Sequence, residues 1–345
     1  MSPPLHPAAV LYQGATPFPA LAACEHFAGS DKTIRKALHL QAELLADERP
    51  IFDVTADCED GATPGREAEH AAMIVDLLLD PANRYGRLGV RIHDVTHPHW
   101  REDLQIIVGR AGRQVAYIVL PKVASADDAF TQIVALDEIR TRSGIKRPLP
   151  VHVLIETPGA LHEVWQIAAL PHVESIDFGL MDFVSAHHGA IPGKAMRSPG
   201  QFSHPLVTRA KCEVAAAALG NGVIPTHNVT TELNDPDIAR EDAWRARSEF
   251  GFLRMWSIHP RQIQPIVEAM RPDFAEVTEA AAILLAAQNA NWGPIAREGK
   301  LHDRASYRYY WEVLRRAHAT GAALPSEAQH RFFRATAQVT NIVSH

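Results

Sequence analysis

The sequence predicts an α/β fold, a (β/α)₈ TIM barrel with a C-terminal helical extension. Short apolar runs alternate with amphipathic helical patterns as far as residue 260. These runs are almost continuously apolar, as expected for parallel strands that are buried on both faces. There are eight of them, which favours a closed barrel over an open doubly wound sheet. No GxGxxG segment follows an early strand, which speaks against a dinucleotide-binding fold.

The predicted elements follow one another in a regular order. The strand candidates are residues 19–25 (the weakest), 51–59, 89–94, 115–122, 150–157, 174–182, 222–229 and 253–260. Amphipathic helical patterns fill the connections, for example at residues 32–47, 65–80 and 125–144. Ser125 is a suitable cap for the last of these helices, because its hydroxyl can accept from a free N–H group of the first turn.

After residue 260 the chain has only helical patterns, at residues 261–272, 274–290 and 303–321. We therefore expect a catalytic barrel at residues 1–270, with residues 1–18 as an arm, and a helical extension at 271–345. The extension is rich in apolar and aromatic residues, and such faces need a partner. We expect them to pack on a neighbouring subunit in a closed homo-oligomer, a trimer or hexamer. The alternative is that the extension folds back on its own barrel.

The composition excludes several classes of protein. The 345 residues are 46% hydrophobic and carry a net charge of −6, which is ordinary for a globular protein and unsuited to binding nucleic acid or an acidic membrane surface. There is no signal peptide pattern and no apolar run of membrane-spanning length. The three cysteines form no CxxC pair, as expected for a cytoplasmic protein without a cysteine zinc site.

Polar side chains stand at the C-terminal ends of the predicted strands, where the active sites of such barrels lie. They are Asp57, Glu59, Asp60, Arg91, Lys122, Glu156, Asp182, His227, Asn228 and His259. Carboxylates at the end of a buried strand cost free energy unless a cation meets them. Charges of both signs at one mouth therefore suggest a metal ion and an anionic substrate.

Glu156 and Asp182 are the candidate metal ligands. They would supply oxygen ligands from neighbouring strand ends, which suits Mg²⁺ because this ion usually takes one or two carboxylates and completes its shell with water and substrate oxygens. Arg91 lies within the third strand and suits a bidentate grip on an anion. Its structural alternative is an ion pair with Glu59 or Asp60.

Lys122 and a group of histidines have two interpretations each. Lys122 is either a cation that binds the cofactor or substrate, or a counter-ion of the acidic segment. His93, His97 and His99 could in principle bind zinc, but their segment contains a proline and is typical of a loop.

Six short segments follow one another along the chain in an order that resembles a known family. They read DCEDGA (57–62), VRIHD (90–94), LPKV (120–123), LIETPG (154–159), FGLMDF (178–183) and IHPRQI (258–263). Together they resemble the citrate lyase β-subunit and malyl-CoA lyase group of the HpcH/HpaI aldolase superfamily. Residues 297–317 are similar to the family's C-terminal G-K-x-x-D helix, in which an aspartate can reach the site of a neighbouring subunit.

The resemblance implies a Mg²⁺-dependent lyase that makes or breaks a carbon–carbon bond next to a carbonyl group. The implied substrate is an organic acid or a β-hydroxyacyl thioester of the citryl-CoA or malyl-CoA kind, with coenzyme A as the candidate carrier. By resemblance, Glu156 and Asp182 hold the metal, and Arg91 grips or polarises the substrate. The implied role of Glu59 and Asp60 is to orient the metal-bound waters.

Asp303 in the extension is, by the same resemblance, the candidate acid and base. The chain also departs from the family pattern, because Leu253, Arg254 and Met255 stand where the family often has a lysine near the thioester, and His93 replaces an asparagine. Other functions therefore stay open: an aldolase of free keto acids, a thioester hydrolase, or a non-catalytic subunit that binds acyl-CoA.

Overall fold

Eight parallel strands close into a barrel within residues 21–270. The computed structural model describes residues 5–14, 17–62 and 64–334. The strands are β1 (Cys24–Ala28), β2 (Phe52–Asp57), β3 (Leu88–Arg91), β4 (Ile118–Leu120), β5 (Val151–Ile155), β6 (Val173–Phe178), β7 (Ile224–His227) and β8 (Arg254–Ser257). Each pairs with the next in chain order, and β8 pairs with β1. The predicted (β/α)₈ fold is confirmed.

Two strand ends differ most from the sequence prediction. The first strand begins at Cys24, which pairs in register with Phe52, so the predicted residues 19–23 precede it. The sixth strand ends at Phe178, because the chain turns at Gly179 into a short helix. The sequence had predicted that Asp182 closes the strand. Asp182 lies instead in the first turn of this helix.

Helices fill the connections between the strands. They are α2 (Asp31–Glu43), α3 (Glu67–Leu79), α4 (Trp100–Ala111), α5 (Ala126–Arg142), α6 (Pro158–His162), α7 (Val164–Ala168), α8 (Leu180–Ser185), α9 (Pro205–Gly220), α10 (Pro236–Phe250) and α11 (Pro260–Met270), after α1 (Pro7–Leu11) near the amino terminus. Ser125 caps α5, because its side chain accepts from the backbone N–H of Asp128 as predicted. The main hydrophobic core comprises buried side chains of both the strands and these helices.

The barrel interior has an apolar layer below the C-terminal ends of the strands. Side chains alternate along a strand, so residues two apart share a face. Phe27 and Trp256 meet there with ring centroids 4.5 Å apart, and Tyr117, Val119 and Leu154 belong to the same buried cluster. This layer separates the polar mouth from a second set of charged residues deeper in the barrel.

The deeper set is a buried ion network around Arg254. The Arg254 guanidinium lies 2.9 Å from the Glu25 carboxylate and also contacts Asp53. His152 and Asp177 complete the set, and one ligand atom each of Glu25, His152 and Asp177 lies within 4.8 Å of the others. Burial alone would lower the pKa of His152, but the Glu25 charge raises it to about 9. Arg254 and His152 thus already supply the positive charge that these carboxylates need.

The described residues among 1–20 and 271–345 form a second compact unit. Its described helices are α1, α12 (Phe274–Asn289), α13 (Arg304–Ala319) and α14 (Ser326–Gln329), followed by a π-helical turn (His330–Arg334). A two-stranded hairpin (Ile295–Arg297 and Lys300–His302) precedes α13. None of the helices in the described part of the chain is long and apolar enough to cross a membrane.

The apolar faces of this helical unit pack on one another. Tyr12 and Leu11 belong to the same buried cluster as Leu284 of α12 and Trp311 of α13. Residues from the amino-terminal segment therefore cover part of these apolar faces, and the packing of the extension on a neighbouring subunit stays a prediction. Large apolar side chains still reach solvent at Phe274, Leu301 and Tyr309.

Candidate active site

A cavity of about 310 Å³ opens at the C-terminal ends of the barrel strands. Its lining includes Phe27, Asp57, Asp60, Gly61, Arg91, Glu156, Gly179, Asp182, Asn228 and Trp256. The two candidate metal ligands and the candidate substrate-binding arginine therefore share one cavity. The floor is aromatic, and the Arg91 guanidinium lies over the Phe27 ring at 5.4 Å.

Glu156 is buried directly after β5, and two backbone features hold its carboxylate in place. The backbone N–H of Lys122 donates to Glu156 Oε1 at 2.6 Å. Lys122 has a positive φ of 48°, a left-handed conformation that is uncommon for a residue with a side chain. Gly179 makes the other contact, because a Cβ atom at this position would lie 2.3 Å from Glu156 Oε2.

Burial and a neighbouring carboxylate both disfavour the charged form of Glu156. Burial raises the pKa of its carboxyl group to about 8, and the nearby charge of Asp182 adds to this effect. Two carboxylates that oppose each other's ionisation in a buried place are stabilised by a positive ion between them. Hard oxygen donors of this kind suit Mg²⁺, and Asp182 is half-buried at the cavity wall.

Arg91 is fixed by a carboxylate that sequence reasoning had not assigned to it. Its Nε and Nη2 atoms donate to the two oxygens of Asp57 at 2.7 and 2.6 Å. Its Nη1 atom lies 3.1 Å from Glu59 Oε2. Burial alone would lower the pKa of the guanidinium, but Asp57 and then Glu59 raise it above its ordinary value. Arg91 is thus a permanently charged group at the cavity wall.

Asp57 also organises the loop that follows β2. The backbone N–H groups of Glu59 and Gly61 donate to its two oxygens at 3.0 and 2.8 Å. A Cβ atom at Gly61 would lie 2.5 Å from Asp57 Oδ2, so only glycine allows this approach. One carboxylate therefore holds both Arg91 and the acidic loop.

Lys122 lies against this acidic loop. Its ammonium group contacts Glu59 and lies 2.9 Å from Asp60 Oδ1. Burial alone would lower the pKa of Lys122, but the hydrogen bonds to Glu59 and Asp60 raise it. Glu59 therefore bridges Arg91 and Lys122, whereas the Asp60 side chain is more than half exposed. The predicted role of Lys122 in binding a cofactor stays a prediction.

The histidines of the third connection contact carboxylates. The His93 Nδ1 atom lies 2.7 Å from Asp103, and the rings of His93 and His97 stack at 3.9 Å. The His99 Nδ1 atom lies 2.7 Å from Glu102. Among the described residues, the possible ligand atoms of Glu25, His152 and Asp177 lie close enough together for a metal ion, whereas His93, His97 and His99 form no such group.

Asp303 lies in the helical unit at the start of α13. Its Oδ1 atom accepts from the backbone N–H of Ala305 at 3.0 Å, and the Asp303 backbone N–H donates to Ser306 Oγ at 3.2 Å. This is a capping box, a structural role that the sequence analysis had not assigned. The predicted catalytic role of Asp303 stays a prediction.

Three features of the site were missed from the sequence. The ion pair of Asp57 with Arg91 could have been found, because these two residues pair in register at the ends of neighbouring strands. The contact of Gly179 with Glu156 has no local sequence signal. The hydrogen bond between Asn228 and Gln201 also has no local sequence signal, because Gln201 lies in a different connection, the one after β6.

Known proteins resemble this chain over most of its length. A citrate lyase of Burkholderia xenovorans LB400 with a solved structure is 54% identical, with a TM-score of 0.82 over 95% of this chain and 99% of the other. An L-malyl-CoA/β-methylmalyl-CoA lyase of Cereibacter sphaeroides is 28% identical over 284 residues, which cover 78% of this chain and 88% of the relative.

A more distant solved structure shares the fold. It is CitE of Mycobacterium tuberculosis in complex with magnesium, acetoacetate and coenzyme A, which is 24% identical with a TM-score of 0.65 over 86% of this chain and 98% of the other. The sequence profile of the HpcH/HpaI aldolase/citrate lyase family matches residues 52–260, the part of the chain that runs from the second strand to the eighth. The prediction of a carbon–carbon lyase is confirmed, and the chain belongs to the HpcH/HpaI aldolase/citrate lyase family.

Proposed function

We propose that this protein is a Mg²⁺-dependent lyase that cleaves a carbon–carbon bond in a β-hydroxyacyl-CoA thioester of the malyl-CoA or citryl-CoA kind. The observation that carries the proposal is the buried Glu156 carboxyl group, whose pKa of about 8 reflects burial and the adjacent Asp182. Such a pair needs a cation, and it shares a cavity with the positively charged Arg91. The relatives named as malyl-CoA lyases support the thioester class.

The donor set of the cavity fits the proposed metal ion. Glu156 and Asp182 would hold Mg²⁺, and water and substrate oxygens would complete its shell. The bound ion would supply Lewis acidity to the substrate oxygen that gains negative charge. Within the described chain, no cysteine lines this cavity that would favour a softer metal.

The chain's own residues would position the substrate and stabilise charge. Arg91 is held by Asp57 and Glu59 before any ligand arrives, so its charge is in place when negative charge develops on the substrate. The aromatic floor of Phe27 and Trp256 excludes water from one side. As the carbon–carbon bond breaks, a base takes the hydroxyl proton and an acid protonates the enolate carbon. We assign this proton transfer to Asp303 of a neighbouring subunit.

A substrate panel tests the reaction class. Purified protein is incubated with malyl-CoA, β-methylmalyl-CoA, citramalyl-CoA and citryl-CoA, with and without Mg²⁺, and both the 2-oxo acid and the shorter acyl-CoA are quantified. We expect both products in equal amounts and only with the metal. Free thiol without a 2-oxo acid would indicate a hydrolase instead. Cleavage of the free acids would indicate an aldolase that needs no coenzyme A.

Metal-ligand variants test the site assignment in the same assay. Glu156→Gln and Asp182→Asn should abolish lysis and weaken Mg²⁺ binding measured by calorimetry. Asp127→Asn is the matched control, because Asp127 is exposed on α5. Unchanged Mg²⁺ affinity in both ligand variants would contradict the assignment.

We also infer a cytoplasmic homo-oligomer, a trimer or hexamer. Phe274, Leu301 and Tyr309 support an interface on the helical unit, because each exposes 60% or more of its surface. Light scattering gives the mass, and a monomer at micromolar concentration would contradict this inference.

A further inference from the structure

The cavity at the C-terminal ends of the strands has an apolar side as well as a polar one. Met181, Val229 and Ile258 line the apolar side and follow the sixth, seventh and eighth strands. The third and seventh strands lie four places apart in the closed eight-stranded barrel, so Val229 is on the side opposite Arg91. Met181 and Ile258 expose 38% and 43% of their surface. A ligand in the cavity can therefore reach these side chains.

The charges of the cavity lining suit a ligand with one carboxylate. Among the described lining residues, Arg91 is the one cation, and both of its outer bonds to Asp57 are already made. The lining carboxylates are those of Asp57, Asp60, Glu156 and Asp182. Glu156 and Asp182 together balance the charge of one Mg²⁺ ion. The metal ion and Arg91 can therefore hold one carboxylate of a substrate, and the described lining offers no further cation for a second.

Lys122 is also near the acidic loop, but its charge is used there. Its ammonium group contacts Glu59 and lies 2.9 Å from Asp60 Oδ1. It lines a neighbouring cavity together with His93, and not the cavity that contains Glu156. Moving Lys122 to a substrate would leave the two carboxylates of the loop without this cation. Lys122 therefore does not supply the charge that a second substrate carboxylate would need.

The chemistry of the thioester determines which of its groups faces the apolar side. In malyl-CoA and its analogues, the free carboxylate and the hydroxyl group are attached to the same carbon. The metal ligands and Arg91 would hold these oxygens on the polar side of the cavity. The further substituent of that carbon then faces the apolar side. This substituent is a hydrogen in malyl-CoA, a methyl group in citramalyl-CoA and a carboxymethyl group in citryl-CoA.

We propose that the substrate carries a single free carboxylate, so that the 2-oxo acid released is monocarboxylic, as glyoxylate and pyruvate are. Met181, Val229 and Ile258 are the specificity-determining residues, because they contact the uncharged substituent of the hydroxyl-bearing carbon. The inference rests on the proposed function and narrows it to thioesters of the malyl-CoA kind. A second carboxylate on the apolar side would lose its hydration without gaining a cation, so citryl-CoA is rejected.

The binding of 2-oxo acids tests the proposal without turnover. Oxaloacetate and 4-methyl-2-oxopentanoate have the same branched shape, but the first ends in a carboxylate and the second in two methyl groups. With Mg²⁺ present in excess, we expect calorimetry to show that 4-methyl-2-oxopentanoate binds at least about tenfold more tightly. A smaller difference, or tighter binding of oxaloacetate, would overturn the proposal.

Turnover gives a second test with a matched pair of thioesters. Citramalyl-CoA would give pyruvate and acetyl-CoA, and citryl-CoA would give oxaloacetate and acetyl-CoA. We expect kcat/KM for citramalyl-CoA to exceed that for citryl-CoA at least about 100-fold. Comparable values would overturn the proposal. If the wild type cleaves none of the thioesters, the proposed function fails, and the affinities for the two 2-oxo acids decide this inference separately.

Ile258→Arg supplies a cation on the apolar side. We expect the affinity for oxaloacetate relative to 4-methyl-2-oxopentanoate to rise at least about tenfold. Ile258→Gln is polar but uncharged and should leave this ratio near its wild-type value. Leu79→Arg adds the same charge at an exposed position outside the cavity lining and is the control. A wild-type ratio in folded Ile258→Arg would contradict the assignment; if this variant does not fold, Met181→Arg takes its place with the same expected ratio.

Discussion

Asp57 and Arg91 face each other at the ends of neighbouring strands and form a two-pronged ion pair, with donor–acceptor distances of 2.7 and 2.6 Å. Both side chains are at least nine-tenths buried. The pair differs from a surface salt bridge because the same carboxylate also accepts from the backbone of Glu59 and Gly61. The position of the charge in the cavity and the shape of the acidic loop are therefore set by one group.

The first prediction concerns the planar guanidinium group of Arg91. Arg91→Lys keeps the positive charge but cannot donate to both oxygens of Asp57 and to Glu59 from a planar group. We expect kcat/KM to fall by about 10²–10³, the usual effect of losing one fixed donor to a developing negative charge. Arg142→Lys, which alters an exposed ion pair with Glu138, is the control. Turnover near the wild-type rate in Arg91→Lys would show that the arginine serves the structure alone.

Glu59 gives the second prediction. It bridges Arg91 and Lys122, so Glu59→Gln removes a charge from between two cations while keeping the size of the side chain. We expect activity to fall roughly 10–100-fold, as for groups that orient the residues around a metal, with an unchanged circular dichroism spectrum. Glu69→Gln, on the exposed face of α3, should have wild-type activity. Full activity in Glu59→Gln would show that the charge of Glu59 has no role in catalysis.

Gly179 gives a third prediction that is independent of substrate. A Cβ atom there would lie 2.3 Å from Glu156 Oε2 and 2.5 Å from Glu156 Cβ, so Gly179→Ala must displace the carboxylate. We expect Mg²⁺ affinity to fall at least about tenfold, measured by calorimetry without substrate. Gly193→Ala is the matched control, because no atom lies within 4 Å of the added carbon. Equal Mg²⁺ affinity in the two variants would argue against Glu156 as a ligand.

Some of this site was predictable and some was not. Parallel strands bring all their C-terminal ends to one face, so the meeting of Glu156, Arg91 and Asp182 followed from strand order alone. The partner of Arg91 depended on register, because Asp57 is an inward strand position opposite Arg91 whereas Glu59 lies in the loop. The apolar strand pattern marked the segment of Arg254 as a strand but gave no sign of its burial against Glu25 and Asp53.

Contacts between distant segments could not be predicted from the sequence. Periodicity shows that α12 and α13 have apolar faces but not what covers them, and part of the cover comes from Tyr12. The Gln201–Asn228 hydrogen bond joins two connections through an orientation that Asp242 and Lys211 fix. Such networks depend on side-chain geometry, which a single sequence does not encode in any local pattern.

The fourth prediction is a pH dependence of Mg²⁺ binding. The pKa of Glu156 in the metal-free protein is raised to about 8, so below this pH the ion must displace a proton. Affinity should rise about tenfold per pH unit up to this pKa and level off above it. Calorimetry in buffers of different ionisation enthalpy measures the released proton. Glu156→Gln removes the titrating group, so the residual affinity of this variant should lack the slope; a wild-type affinity independent of pH would contradict the prediction.

The raised pKa of Glu156 also determines how the stability of the metal-free protein changes with pH. The pKa of Glu156 in the folded protein is raised above the ordinary value of 4.5. The contribution of its protonated form to the free energy of unfolding is therefore fully present below pH 4.5. It is lost as the pH rises through about 8, where the folded protein must ionise a buried carboxyl group next to Asp182. Mg²⁺ should therefore raise the melting temperature more at alkaline pH than at acidic pH.

The fifth prediction separates the two possible roles of Asp303. Its side chain caps α13, and asparagine caps helices as well as aspartate does. Asp303→Asn should therefore keep the melting temperature, while Asp303→Ala should lower the free energy of unfolding by about 1 kcal/mol. If Asp303 is the acid and base, both variants lose activity. Wild-type activity in Asp303→Asn would limit Asp303 to capping.

Mixed oligomers show whether Asp303 acts on a neighbouring subunit. Arg91→Ala and Asp303→Ala subunits are each expected to be inactive, because one lacks the charge proposed to bind the substrate and the other lacks the group proposed to transfer the proton. When the two are unfolded together and refolded, some sites combine an intact Arg91 from one subunit with an intact Asp303 from its neighbour. We expect partial recovery of activity in these mixtures and none when each variant is refolded alone. No recovery, with light scattering and circular dichroism showing that mixed oligomers have formed and folded, would mean that each site uses the Asp303 of its own chain or none at all.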